Sequence, residues 1–122
     1  MTKQYSIGEF SKKCGLSIDT LRYYEKENLI HCHRKDNNRR YYEESDVAWV
    51  QFIIRLKKTG MSIKHMQEYA DLRYKGDSTI PQRLKLLFLQ LDNLHNQQSE
   101  IVQHIDFLEK KIKVYLGIGN DN

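Results

Sequence analysis

Residues 6–26 read SIGEFSKKCGLSIDTLRYYEK, and this stretch decides how the N-terminal part of the chain folds. It opens with Ser6 and Glu9 at the spacing of a capping box, in which each side chain accepts a hydrogen bond from the other residue's backbone N–H. We therefore expect a helix that begins at about Ile7. Gly15 marks its end, because glycine readily adopts the positive φ that closes a helix.

A second helix is predicted directly after the first. Ser17 is a good N-cap residue, and residues 18–26 follow it with Ile18 and Leu21 on the inward side. Two short helices joined by a Gly-containing turn form a helix-turn-helix, whose second helix enters a DNA major groove. Polar and cationic groups on the other side suit base edges and phosphates, so the predicted DNA contacts are Ser17, Asp19, Thr20, Arg22, Tyr23 and Lys26.

A basic β-hairpin, or wing, is predicted next. Residues 34–42 read RKDNNRRYY, and Asn37 and Asn38 at the centre tolerate the left-handed backbone of a tight turn. Cationic side chains on both flanks of so small a hairpin suit a clamp on phosphates better than a core. The predicted DNA contacts from the wing are Arg34, Arg39, Arg40, Tyr41 and Tyr42.

Two further helices repeat this plan. The acidic residues 43–46 favour a helix start through the helix dipole, and residues 59–60, Thr-Gly, close that helix. Its apolar residues recur at helical spacing and are predicted to be core: Trp49, Phe52, Ile53 and Leu56. A fourth helix from the cap Ser62 to the stop Gly76 has an apolar stripe of Ile63, Met66, Tyr69 and Ala70. Basic residues around the intervening turn predict a second wing, with DNA contacts from Lys57, Lys58 and Lys64.

A coiled coil is predicted for the C-terminal part. Pro81 suits the start of a helix, and a heptad pattern runs from there to about residue 116. Nine of its ten seam residues are apolar, with Gln98 as the exception. A helix of about 36 residues is ~54 Å long and too large to bury on a small head, so we expect a homodimer. The predicted dimerisation residues are Leu84, Leu87, Leu91, Leu94, Gln98, Ile101, Ile105, Leu108, Ile112 and Tyr115.

The charge of the chain is uneven. Residues 1–75 hold 15 basic and 10 acidic side chains, whereas residues 76–122 hold 5 and 6. A positive field confined to the N-terminal part suits a head that binds a polyanion. There is no signal-peptide pattern and no run of ~18 apolar residues, so we expect a cytoplasmic protein with no membrane contact.

Chemistry of other kinds finds little support in the pattern. No catalytic triad, phosphate-binding glycine loop or metalloprotease helix is recognisable, so neither an enzyme nor a cofactor is predicted. His31, Cys32 and His33 hold three soft ligands, but adjacent residues of an extended segment point to opposite sides, and we predict no metal site. Cys32 has cationic neighbours and is the candidate redox sensor, while Cys14 at a helix end is expected to be structural.

These motifs together resemble the MerR (mercury-resistance regulator) family over residues 5 to about 116. The resemblance rests on residues 5–9, 15–17, 20–25, 29–30 and 59–63, with Arg34, Arg40, Tyr42 and Asp46 at matching positions. The turn at 59–63 is similar to that of the aldehyde- and nitrosative-stress-responsive branch. That branch has a cysteine shortly before this turn, and the matching residue here is Arg55.

The resemblance implies how such a protein works. Members are homodimers joined by an antiparallel coiled coil, and they bend and untwist an over-long promoter spacer so that RNA polymerase engages both promoter elements. It implies Arg22 and Tyr23 at the major groove, Tyr24 near phosphates, and Arg40 and Tyr42 on the wing.

The expected fold class is therefore mainly α, with a winged helix-turn-helix DNA-binding domain over residues 1–76. A dimerising coiled-coil helix follows over 77–118, and a disordered tail over 119–122. The expected function is regulation of transcription through promoter DNA, in response to an unassigned signal that includes thiol-reactive stress among the candidates. A protein-interaction adaptor that works through its coil, and a purely architectural DNA binder, are the alternatives; salt-sensitive, sequence-blind binding would favour them.

Overall fold

Residues 3–119 of the computed structural model form five α-helices and one two-stranded hairpin. The elements in chain order are α1 (Ile7–Cys14), α2 (Ile18–Lys26), β1 (His33–Arg34), β2 (Arg40–Tyr41), α3 (Glu44–Lys58), α4 (Ile63–Lys75), a 3₁₀ turn (Asp77–Thr79) and α5 (Ile80–Tyr115). The chain divides into two units, of which the first ends at Leu86 and the second begins at Leu87. The mainly helical fold, with a winged helix-turn-helix head and a long C-terminal helix, confirms the predicted fold class.

The helix-turn-helix has the caps that its sequence predicts. The Ser6 hydroxyl accepts from the Glu9 N–H at 3.2 Å, and the Glu9 carboxylate accepts from the Ser6 N–H at 3.0 Å. The second of these bonds favours the ionised form and lowers the pKa of Glu9. Gly15 closes α1 with a φ of 72°, and the Ser17 hydroxyl caps α2 by accepting from the Thr20 N–H at 3.1 Å.

The hairpin of β1 and β2 is the predicted wing. Its strands are antiparallel, with Arg34 opposite Arg40, and Asn38 in the turn has a φ of 67°. An asparagine therefore takes the left-handed position that glycine usually occupies. Beyond β2, Tyr42 exchanges two backbone hydrogen bonds of 2.8 and 2.9 Å with Tyr5, so the N-terminal segment is attached to the wing.

The core of the first unit joins its helices to the wing. The rings of Phe10 and Tyr42 stack with their centroids 4.2 Å apart and their planes 1° from parallel. The Trp49 indole N–H donates to the Leu29 carbonyl at 2.8 Å, which ties α3 to the segment after α2. The largest side chains that are fully buried are Tyr42, Phe10, Leu21, Leu29, Ile53 and Val50.

Phe52, predicted to be core, and Ile63, predicted to lie on the apolar stripe of α4, lie at the edge of the core instead. Phe52 is 37% exposed and Ile63 is 44% exposed. The buried residues of α3 are centred on the direction of Ile53, and at 100° per residue Phe52 is about 100° away from that centre. Ile63 is the first residue of α4 and follows the cap Ser62, so no preceding helical turn covers its side chain. The prediction for these two residues was wrong, while Trp49, Leu56, Met66 and Tyr69 are buried as expected.

Asp46 attaches the wing to the start of α3. Its carboxylate accepts from the Glu43 N–H at 2.8 Å and lies 3.0 Å from the His33 Nε2 on β1. Asp46 is buried, which strengthens the hydrogen bond from the backbone, while the His33 side chain is 41% exposed and its contact is partly open to water. The acidic start of α3 thus serves both as a helix cap and as an anchor for the wing.

The start of α5 belongs to the first unit. The Thr79 hydroxyl contacts the carbonyls of Leu72 and Gly76 at 2.6 and 2.7 Å. The Arg83 guanidinium donates to the Gly76 carbonyl and to the Thr79 hydroxyl, each at 3.2 Å. These bonds join the first turn of α5 to the end of α4, so the division at Leu86 falls later than the predicted boundary at residue 76.

The C-terminus of α5 is closed by a capping motif. Gly117 has a φ of 76°, its N–H donates to the Val114 carbonyl at 3.0 Å, and the Ile118 N–H donates to the Lys113 carbonyl at 3.0 Å. This pair of bonds is a Schellman motif, where a frayed end was expected. Gly119 also donates to Lys113, and the remainder of the predicted tail, 120–122, lies outside the described residues. None of the helices in residues 3–119 combines the length and apolar character that a membrane span requires.

The Phe10–Tyr42 stack predicts the stability of the head. Phe10→Ala should lower the free energy of unfolding by about 3 to 5 kcal/mol, because it leaves a cavity between α1 and the wing. Tyr23→Ala, which truncates an exposed aromatic residue of the same unit, should cost less than about 1 kcal/mol. Urea denaturation followed by circular dichroism gives both values. Equal losses for the two variants would show that the stack is not a major part of the core.

Candidate nucleic-acid interface

The exposed face of α2 carries most of the residues predicted to contact DNA. Asp19, Arg22, Tyr23 and Lys26 are all exposed, while Leu21 on the opposite side is fully buried. The N-terminal cap residue Ser17 is exposed too, with its hydroxyl 2.9 Å from that of Thr20, which is half-buried. The helix is thus fixed by one apolar side and presents its polar side to the solvent.

A cleft between α2 and the wing brings three cations together. It has a volume of about 540 Å³ and is lined by Ile7, Arg22, Glu25, Lys26 and Arg40. Arg22 and Lys26 come from the helix and Arg40 comes from β2, so two separate elements contribute charge to one surface. Phosphate oxygens are the groups that such a concentration of guanidinium and ammonium groups binds best.

The basic surface continues beyond this cleft along the wing. A second groove of about 400 Å³ is lined by residues that include Lys35, Arg39, Arg40 and Tyr41. Lys35 was not among the predicted contacts, although its place in the hairpin tip was a usable signal. Lys3 and Lys13 lie over the ring of Tyr5, with each ammonium nitrogen 5.4 Å from the ring centre. They add positive charge near this groove and were not among the predicted contacts.

Glu25 connects the recognition helix to the wing. One carboxylate oxygen accepts from the Arg40 guanidinium at 2.7 Å, and the other accepts from the Tyr42 hydroxyl. Burial and this bond raise the pKa of Tyr42 well above its usual range, so its hydroxyl stays protonated and donates. The neighbouring carboxylate likewise raises the pKa of Arg40. Glu25 was not among the predicted site residues, because its partners lie 15 and 17 residues away in the sequence and no local pattern joins it to them.

Two tyrosines predicted to contact DNA are core residues. Tyr42 has no exposed surface, so the prediction that it contacts DNA was wrong. Successive residues of a strand point to opposite sides, and the outward place is taken by Tyr41, whose ring stacks on His33 with centroids 5.1 Å apart. Tyr24 is 4% exposed, and burial raises its pKa. Its ring therefore packs in the core on the buried side of α2 and is not part of the surface.

The predicted second wing is only partly continuous with this surface. Lys57, Lys58 and Lys64 are all exposed. Lys57 and Tyr23 line one small cavity of about 130 Å³, so the turn between α3 and α4 extends the face of α2. Lys64 lines a different cleft, in which Glu68 and Asp71 offset its charge.

The two cysteines have different surroundings. Cys14 is buried, and burial together with the nearby carboxylates of Asp46 and Glu44 raises its pKa to about 11. Cys32 is half-buried and directly precedes β1, which pairs with the strand that carries Arg40. Cys14 therefore stays a neutral thiol at neutral pH, while Cys32 adjoins the cationic cleft.

The histidines beside Cys32 have separate partners. The His31 imidazole stacks on Tyr74 with centroids 4.0 Å apart, and the His31 backbone N–H donates to the Tyr74 hydroxyl at 3.0 Å. His33 instead faces Asp46, so the two imidazoles do not converge on one point. Over residues 3–119, no group of three or more His, Cys, Asp or Glu side chains is arranged to hold a metal ion.

The fold and the basic face define the class of a winged helix-turn-helix protein with a nucleic-acid-binding head. The family described as "MerR HTH family regulatory protein" matches residues 5–72, and the family described as "MerR, DNA binding" matches residues 47–112. The chain therefore belongs to the MerR family, whose members are transcriptional regulators and not enzymes.

Similar proteins support this assignment. The chain is 35% identical over 112 residues to an uncharacterised HTH-type transcriptional regulator of Haemophilus influenzae, covering 91% of this chain and 83% of the relative. It is 40% identical over 83 residues to the regulator AdhR of Bacillus subtilis, covering 67% of this chain and 59% of AdhR. Among solved structures, HiNmlR, a MerR family regulator lacking the sensor domain and bound to promoter DNA, matches with 35% identity and a TM-score of 0.69. That match covers 96% of this chain and 92% of HiNmlR.

The contrast between the cysteines predicts their reactivity. At pH 7.5 iodoacetamide should alkylate Cys32 at least about tenfold faster than Cys14, because burial limits access to Cys14 and keeps it protonated. Peptide mass spectrometry at timed intervals measures both rates in one sample. In urea the difference should disappear, and equal rates in the folded protein would contradict the burial of Cys14.

Proposed function

We propose that this chain is a homodimeric, sequence-specific transcription regulator that grips promoter DNA with two winged helix-turn-helix heads. The observation that carries the proposal is the cleft in which Arg22 and Lys26 of α2 meet Arg40 of the wing. The likeness to HiNmlR, which was solved on promoter DNA, supports the same use of this face.

Base reading is assigned to the exposed side of α2. The helix projects Arg22 and Tyr23 away from the buried Leu21, and a guanidinium can bind the O6 and N7 of a guanine together. The wing and the turn before α4 are assigned to phosphates, which fix the register without reading sequence. The proposed contacts are Ser17, Asp19, Thr20, Arg22, Tyr23 and Lys26 from the helix-turn-helix, Arg34, Arg39, Arg40 and Tyr41 from the wing, and Lys57, Lys58 and Lys64 from the second turn.

Dimerisation is assigned to α5. Most of its apolar seam is open to solvent in the single chain, as with Leu91 at 44% and Leu108 at 58% exposed. A contiguous apolar stripe of this length is rare on monomers, and a second copy of the same helix covers it with a matching heptad pattern. Gln98 lies near the middle of the seam, where a polar residue sets the register of an antiparallel pair at some cost in stability.

The proposed dimer acts on the promoter by deforming it. Two heads held at the ends of a coiled coil bind two half-sites and impose their own spacing on the DNA between them. Distorting uncontacted base pairs costs on the order of 1 to 10 kcal/mol, which the clamped half-sites must supply. We assign RNA polymerase as the partner that reads the altered spacer.

The proposed entry point for a thiol-reactive signal is Cys32, because it is the more exposed cysteine and adjoins Arg40.

The division of labour between α2 and the wing predicts two distinct binding defects. Arg22→Ala should weaken binding to a duplex selected by the wild-type protein from a random library by about 1 to 3 kcal/mol, and a scrambled duplex much less. Arg39→Ala at the hairpin tip should weaken both duplexes alike and reduce the salt slope by about one. Fluorescence anisotropy titrations at several salt concentrations measure these effects. Identical, sequence-independent losses for both variants would reduce Arg22 to a backbone contact.

The seam predicts the assembly state. The double substitution Leu94→Asp and Ile101→Asp should convert the dimer to a monomer, because it places carboxylates in an interface that cannot solvate them. Sedimentation velocity measures the change, and Gln97→Asp off the seam is the control that should remain a dimer. If the double variant still sediments as a dimer, α5 is not the interface.

A further inference from the structure

Glu25 is an unexpected residue on a surface that binds a polyanion. It lies on α2 in the cleft with Arg22, Lys26 and Arg40, and its side chain is 15% exposed. A carboxylate there repels phosphates and offsets one of the three cations. On electrostatic grounds alone the surface would bind DNA more tightly without it, so its presence calls for another function.

Both oxygens of Glu25 are used by the wing. Arg40 and Tyr42 are two residues apart in an extended segment, so their side chains project on the same side, toward α2. The guanidinium donates to one oxygen at 2.7 Å and the phenol donates to the other. Glu25 is therefore the link between the recognition helix and the strand that carries the wing's cations.

The two partners of Glu25 differ in burial. Tyr42 is fully buried, its ring stacks on Phe10, and its backbone pairs with Tyr5 in both directions. It gives the carboxylate a rigid attachment point. Arg40 is 45% exposed at its side chain and binds Glu25 through one terminal nitrogen, which leaves other N–H groups of its fork facing the cleft.

We infer that Glu25 is a positioning residue that sets the placement of the wing relative to α2 and holds Arg40 in its DNA-contacting orientation. The inference rests on the proposed function of the cleft. Because the guanidinium is already held in the free protein, binding to the correct half-site loses less side-chain freedom. This smaller loss of freedom favours only DNA that contacts α2 and the wing together. Glu25 therefore raises the specificity of binding, although its charge lowers the attraction to phosphates in general.

The test uses Glu25→Gln in the full-length chain, because glutamine keeps the shape and loses the charge. Binding is measured to a duplex selected by the wild-type protein from a random library and to a scrambled duplex of equal length and composition. The ratio of the two affinities should fall about tenfold, while affinity for the scrambled duplex stays equal or rises. Retained binding to the scrambled duplex and an unchanged circular dichroism spectrum show that the head is folded.

Glu27→Gln is the matched control. Glu27 is the C-terminal cap residue of α2, and its carboxylate accepts from Gln67 at 3.2 Å rather than from the wing. This variant removes the same charge from the same helix, so the ratio of affinities should stay at the wild-type value.

A third variant tests the route through Arg40. If Glu25 acts by holding that guanidinium, Glu25→Gln combined with Arg40→Gln should lose no more specificity than Arg40→Gln alone. Tighter binding of Glu25→Gln to both duplexes by the same factor would overturn the inference, and so would full additivity in the double variant. A wild-type protein that does not distinguish the two duplexes would instead overturn the proposed function.

Discussion

The buried side chain of Tyr42 is the contact on which the rest of the head depends. Its ring stacks on Phe10 of α1, its backbone pairs with Tyr5, and its hydroxyl donates to Glu25 of α2. One residue thus joins the first helix, the recognition helix and the wing. A stacked aromatic pair contributes about 0.5 to 1.5 kcal/mol beyond the area that it buries. The larger consequence is geometric, since the cations of the wing stand at a defined place beside α2.

The second unit has the opposite character, because a single chain leaves its apolar seam unsatisfied. The helix begins with hydrogen bonds to Gly76 and Thr79 and ends with a Schellman motif at Gly117, so both of its ends are closed. Between them lie leucine and isoleucine side chains that are about half exposed. A helix with hydrogen-bonded ends and a solvent-exposed apolar stripe is suited to dimerisation, and these two features are the physical basis of the proposed homodimer.

Membership of the MerR family accounts for the arrangement of helices and wing, while particular residues account for how this chain uses it. Asn38 takes the left-handed position at the tip of the wing, and the Glu25 bridge joins the wing to α2. Cys14 is a buried thiol with a raised pKa and belongs to the core. Cys32 adjoins the cleft, so any chemistry at that thiol would act next to Arg40.

The sequence by itself determined the parts of this protein that depend on neighbours a few residues away. The capping box at Ser6, the left-handed Gly15 and the helical periodicity of α5 are local or periodic signals, and the structure has a cap, a helix end and a long helix at these places. The tertiary structure decided what depends on distant residues. Tyr41 and Tyr42 have the same side chain, so only the packing of Phe10 settles which of them faces inward. The partners of Glu25 lie 15 and 17 residues away, and a carboxylate shows no preference for the wing until the hairpin folds against α2. Side-chain type and helical period were therefore sufficient to predict the helices. The arrangement of the site depends on contacts between residues that are distant in the sequence, which a local pattern does not show.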